Sequence, residues 1–170
     1  MGAMRWAVRV VPVCGVAFAM AACSSSGTSA APGPAASEAP DTGTSGCKGE
    51  GETYTADMVK PGTLGKYTFT LTAATPAPPG LLTNVWTVKI VDSDGKAPDV
   101  SQLTAVPFMP QMGHGSDQTP TLAANADGTF TVSDLYLFMD GLWTVTFTVS
   151  TAGATPTVLD KAVYSFCLDG

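Results

Sequence analysis

The stretch LWTVTFTVS, residues 142–150, alternates strictly: Trp143, Val145, Phe147 and Val149 fall on one side of an extended chain, Thr144, Thr146 and Thr148 on the other. Period two sends successive side chains to opposite faces of a strand, so this segment requires a sheet with one buried face and one wet face. The pattern recurs along the chain. KYTFTLTA sets Tyr67, Phe69 and Leu71 against Thr68, Thr70 and Thr72, NVWTVKIVDS aligns Trp86, Val88 and Ile90, and KAVYSFCL aligns Ala162, Tyr164 and Phe166. Thr53–Met58, Val100–Val106 and Gly128–Leu135 are further predicted strands, with Asp94-Gly95, Asp127-Gly128 and Asp140-Gly141 as turns between strands. No stretch carries a helical period. About seven short strands rich in Thr and Val predict an all-β fold, an immunoglobulin-like antiparallel β-sandwich with Trp86 and Trp143 in its core.

The sandwich accounts for residues 47–170, enough for one domain around one core. The chain before it reads differently. Arg5 and Arg9 precede Val10–Ala22, an apolar run of 13 residues. That is short of the roughly 20 residues a membrane-spanning helix needs, and fits the core of an export signal. Small residues then lead to Cys23 in AFAMAACSSS, which resembles a bacterial lipobox with Met20 where Leu is more usual. The resemblance implies cleavage before Cys23 and a lipid-modified N-terminal cysteine, on the outer membrane facing the periplasm if the cell is Gram-negative. An ordinary signal peptide is the alternative, and both export the domain. Residues 24–46 contain no Val, Ile, Leu, Met or aromatic residue, so residues 23–46 are expected to be a disordered Ser/Ala/Pro/Gly tether.

Export gives the remaining cysteines a role. Cys47 and Cys167 bracket the domain, and in an oxidising compartment such a pair is expected to form a disulfide joining the first strand to the last. Closing a loop of about 100 residues this way contributes roughly 4–5 kcal/mol in the chain-entropy picture. A thiolate metal pair is the rival reading. Without residues 1–22 the chain keeps six lysines and no arginine against 14 acids, a net charge near −8. Such a domain lacks the basic patch that nucleic acid or anionic lipid requires, and cations suit it better.

Much chemistry is missing. His114 is the only histidine, so neither a zinc site built on several histidines nor a blue-copper centre can be assembled. No nucleophile elbow or phosphate-cradling glycine loop is present. Asp92 and Asp94 flank Gly95 as turn residues. The chain is therefore expected not to be an enzyme.

One segment stands apart. PFMPQMGHGSD (107–117) places Met109, Met112 and His114 in a loop marked by Pro107, Pro110, Gly113 and Gly115. Thioether sulfur is soft and neutral, and imidazole is borderline. Together they favour Cu(I), with Asp117 as a nearby carboxylate for Cu(II). If the Gly113 turn folds the loop back, Met109, Met112 and His114 converge, and Met139 in YLFMDGLW is a further candidate brought by a hairpin to the same end. Against this, methionine is a common gap-filler and a histidine in a glycine turn is often only solvated. MPQMGHG, followed by a strand and then FMDGLWTV, resembles the YtkA-like domain, related to the FixH family. Met109, Pro110, Met112, Gly113 and His114, then Met139, Gly141 and Trp143, occupy the matching positions, with Asp140 where Pro is more usual. The resemblance covers roughly residues 67–149. It implies an exported β-sandwich linked to copper handling and cytochrome oxidase assembly, here a lipid-anchored chaperone, buffer or resistance factor serving a membrane-bound copper recipient. The alternative is a non-metal protein-interaction module of the cell envelope.

Overall fold

The computed structural model describes residues 46–169. The expected signal segment, Cys23 with its expected lipid modification, and all of the expected tether but Gly46 lie outside them. The strands are β1 (Met58–Pro61), β2 (Tyr67–Thr75), β3 (Leu82–Asp92), β4 (Leu103–Met109), β5 (His114–Gly115), β6 (Thr121–Ala124), β7 (Thr129–Leu137), β8 (Gly141–Ser150) and β9 (Val158–Leu168). They form two antiparallel sheets, one of five strands in the order β1-β2-β3-β7-β6 and one of four in the order β5-β4-β8-β9. The fold is the expected all-β sandwich, with nine strands among the described residues instead of about seven. The excess lies in short pieces such as β5, only two residues long, for which period two leaves no readable signal.

The alternating segments lie where their pattern requires. Trp143, Val145, Phe147 and Val149 of β8 face inward, as do Trp86, Val88 and Ile90 of β3 and Ala162, Tyr164 and Phe166 of β9. Trp86 meets Phe166 of the opposite sheet edge-on at 5.5 Å and Phe147 at 6.3 Å, so large rings lock the two sheets together. Each such side chain buried contributes about 1.5–3 kcal/mol from apolar area alone. A bulge in β2 between Leu71 and Ala73 shifts the alternation, and it is Ala74 that enters the core.

Several expectations need correction. The first strand starts at Met58 instead of Thr53, because Asp57 takes φ +61° and interrupts the extended chain. Val100–Gln102 is a 3-10 turn before β4. It is closed by Gln102 N–H donating to Asp99 O and Asp99 N–H donating to the Gln102 side chain. Asp127-Gly128 closes the β6–β7 hairpin, but Asp94-Gly95 and Asp140-Gly141 close none. The first follows β3 and the second precedes β8, and both lie on connections that cross between sheets. The pair Cys47–Cys167 is a disulfide with its Cα atoms 5.6 Å apart. It does not join the first strand to the last. Cys47 lies in a turn ahead of β1, and β1 belongs to the other sheet from β9.

Candidate functional site

The site begins with β4. Its inward residues Leu103, Ala105, Pro107 and Met109 alternate with exposed neighbours, and pairing with β8 runs from Leu103 to Phe108. Pro110 has no N–H to extend a ladder. The chain instead turns over four residues: the amides of Met112 and Gly113 both donate to Met109 O, at 3.2 and 2.9 Å. Gly113 takes φ +71°, a conformation in which a side chain is disfavoured. The return strand β5 pairs His114 with Met109 and Gly115 with Phe108. Residues directly opposite in an antiparallel pair share a face, with Cβ atoms about 4.5–5.5 Å apart. His114 therefore lies on the side of Met109, toward the interior end of the sandwich.

A second connection completes this end. Between Leu137 of β7 and Gly141 of β8 the chain passes from one sheet to the other through Phe138, Met139 and Asp140. The Phe138 ring stacks on His114 at 5.8 Å and 20°, and on Tyr136 at 6.0 Å and 18°. Gly141 takes φ +133°, and a Cβ there would approach Met109 Cε to 2.8 Å, so the bare glycine makes room for that thioether's methyl. A third segment joins from the N-terminal side: Gln111 Nε2 donates to Glu50 Oε2 at 3.0 Å, tying the loop apex to the disulfide-bonded turn, where Glu50 N–H donates to Cys47 O.

The candidate ligands differ in access. Met109 is 1 % exposed and belongs to the core, whereas Met112 at the loop apex is 55 % exposed and Met139 36 %. His114 is half-buried, its Nδ1 is 3.1 Å from Gly115 O, and Asp117 is exposed beyond it. A carbonyl oxygen only accepts, so this bond places the proton on Nδ1 and leaves the Nε2 lone pair free. Fixing one ring nitrogen on a carbonyl is how proteins orient an imidazole ligand. The candidate side chains on these segments are one imidazole and three thioethers, residue types whose chemistry is soft to borderline. Among the described residues, the group of His, Cys, Asp and Glu side chains close enough for a harder ion is Cys47, Cys167 and Asp169, away from His114 in the sequence. Its two sulfurs are bonded to each other, which removes the thiolate pair. Phe138, Gln111 and Glu50 are the contributors that sequence reasoning missed. FMDG hinted at the first, while nothing local reveals a contact across 61 residues.

Residues 63–148 match the YtkA-like family model, just over half of the 170 residues. The chain belongs to the YtkA-like family. The matched span holds the whole β4–β5 loop and the Phe138–Asp140 corner, so the YtkA-like domain contains the candidate site itself, while both bridged cysteines fall outside it. No curated protein matches the chain. Among solved structures the filamin domain of Lin-41 is similar over 48 % of this chain and 78 % of that one, at 22 % identity and a TM-score of 0.34.

Proposed function

We propose that this YtkA-like domain is a copper(I)-binding module of the cell envelope, acting as a chaperone, buffer or resistance factor with copper as its cargo. His114 Nε2 and the thioethers of Met112, Met139 and Met109 would hold the ion, with Met109 behind the others. The observation that carries the reading is the register of Met109 with His114, with the Phe138–Met139 corner stacked on the same imidazole. Neutral thioethers need no deprotonation and are not consumed by disulfide formation, which suits an exported protein. In this reading Cys23 carries the lipid anchor and residues 24–46 give the domain reach toward a membrane-bound recipient. No chemistry is catalysed.

The test is a Cu(I) competition titration of the wild type against Met112→Ala and His114→Ala. Clear tightening in the wild type over both variants supports the proposal, and equal weak binding by all three sinks it. The exposure of Met112 and Phe108 favours a second reading, a non-metal interaction module using the same loop as a protein contact. Under that reading Cu(I) leaves the thermal midpoint of all three proteins unchanged.

A further inference from the structure

The His114 and Met139 side chains come from weak supports. β5 is two residues long and paired only to β4, and Met139 lies in a three-residue crossing with no ladder of its own. Neither holds a side chain to the tolerance a binding site needs. One buried side chain touches what carries both. Trp143 is 1 % exposed, and its Nε1–H donates to Met139 O at 2.8 Å. Its ring meets Phe138 edge-on at 5.8 Å and 68°, and Phe138 in turn stacks on His114.

We propose that Trp143 is the positioning residue of the Met/His end: a single indole fixes the main chain bearing Met139 and, through Phe138, the plane of the His114 ring. Its purpose rests on the copper reading, but its geometry does not. β8 is the strand best placed for this, since it pairs on both sides, with β4 and with β9. The ring is therefore anchored in the middle of the second sheet while its N–H reaches the crossing from the first. Without that N–H, the Met139 carbonyl loses its donor and the corner is free to swing.

The molecule contains its own control. Trp86 is likewise fully buried in the core, but its Nε1 has no hydrogen-bond partner among the described residues. Trp143→Phe and Trp86→Phe delete the same atoms from the same core, and only the first deletes a bond to the site. In the metal-free chain, NMR of Trp143→Phe should show the His114 ring protons losing the ring-current shift imposed by Phe138 and the Met139 methyl resonance moving, while Trp86→Phe leaves both in place. In Cu(I) competition, Trp143→Phe should weaken binding about 10- to 100-fold, the usual range for losing a group that orients a ligand. Trp86→Phe should change affinity less than twofold despite a comparable drop in thermal midpoint. If Trp143→Phe fails to fold, the wild type carries the test: its Trp143 Nε1–H, bonded to Met139 O, should resist hydrogen exchange, and rapid exchange of that proton overturns the proposal. Unmoved His114 and Met139 signals in Trp143→Phe, or equal affinity losses in the two tryptophan variants, overturn the proposal. Displacement of His114 in a protein whose wild type binds no Cu(I) supports the positioning role and rejects the copper reading.

Discussion

At the scale of single residues, Asp160 shows how a buried charge is tolerated in this sandwich. It is 0 % exposed, and its carboxylate accepts the backbone N–H groups of Leu64, Lys66, Tyr67 and Lys161. Burial alone pushes its pKa up, but the four amide donors outweigh that and hold it below the usual carboxylate range. A depressed folded pKa means stability that is present above the unfolded value near 4 and lost as pH falls through the folded one. Thermal midpoints should therefore drop on acidification below about pH 4. Asp160→Asn should remove part of that acid dependence and cost about 1–3 kcal/mol at neutral pH, since an amide nitrogen replaces one acceptor. A urea titration of both proteins at pH 7 and pH 3 reads both effects. Tyr164 has the opposite sign. Burial raises its phenol well above the ordinary value of 10.0, and its hydroxyl donates to Met58 O or Phe69 O. Stability is then full below that value and falls as pH rises past it. Tyr164→Phe should flatten the alkaline loss, which denaturation between pH 8 and pH 11 would show. Neither role was legible beforehand. Period two places Tyr164 inward, but KAVYSFCL says nothing of the carbonyls its hydroxyl meets, and Asp160 looks like any turn carboxylate.

At the scale of elements, long alternating strands were legible and their partners were not. LWTVTFTVS and KYTFTLTA declare strands because eight or nine residues repeat one physical constraint, a core on one side and water on the other. Asp94-Gly95 and Asp140-Gly141 declare turns for equally local reasons, yet whether the next strand pairs beside the last or crosses to the other sheet depends on distant packing. In the first case Asp92 Oδ1 accepts from the amides of Asp94 and Lys96, and the chain then continues across to β4. In the second the crossing brings Phe138 onto His114, so a corner expected at this end as a hairpin reaches it as a passage between sheets. Met109, Met112, His114 and Met139 were named from residue type, and their unequal exposure follows from β4 ending inward at Met109 and the turn lifting Met112 clear. Gly141 tests this element most directly. Gly141→Ala imposes a strained φ and pushes a methyl against Met109 Cε. It should cost about 1–3 kcal/mol, the range for strain and overpacking, and should shift the Met109 methyl resonance while leaving that of Met58 in place. A loss below about half a kcal/mol with no movement of Met109 would show that the β7–β8 corner is not held as described.

At the scale of the whole molecule, the disulfide spans 120 residues and yet acts locally. Cysteine position and the expectation of export were enough to expect the pair, because two cysteines bracketing a domain in an oxidising compartment have few other fates. Its attachment was not readable, because Cys47 lies in a turn and not in a strand. Cys167 pairs with Leu142 in the β8–β9 ladder, and Glu52 N–H donates to Ser165 O, so the bridge and this bond lay the N-terminal turn along β9. β1 pairs with β2 at the edge of the other sheet, and the bridge is no part of that ladder, although Lys60 Nζ of β1 donates to Glu52 Oε2 of the tied segment and to Val163 O of β9. Two consequences separate these arrangements. Cys47→Ser with Cys167→Ser, or reduction of the wild type, should lower global stability by about 2–5 kcal/mol. Hydrogen exchange should then accelerate first at Glu50, whose amide bonds within the turn, and at Glu52, whose amide bonds to Ser165 O of β9, while β1 amides paired to β2 keep the protection of the remaining sheet. The Glu50–Gln111 bond lies in the same tied segment, so the loop apex at Met112 should loosen with it. A staple between first and last strands predicts the reverse order, with β1 opening as early as the turn, and a time course of amide exchange with and without reductant distinguishes the two.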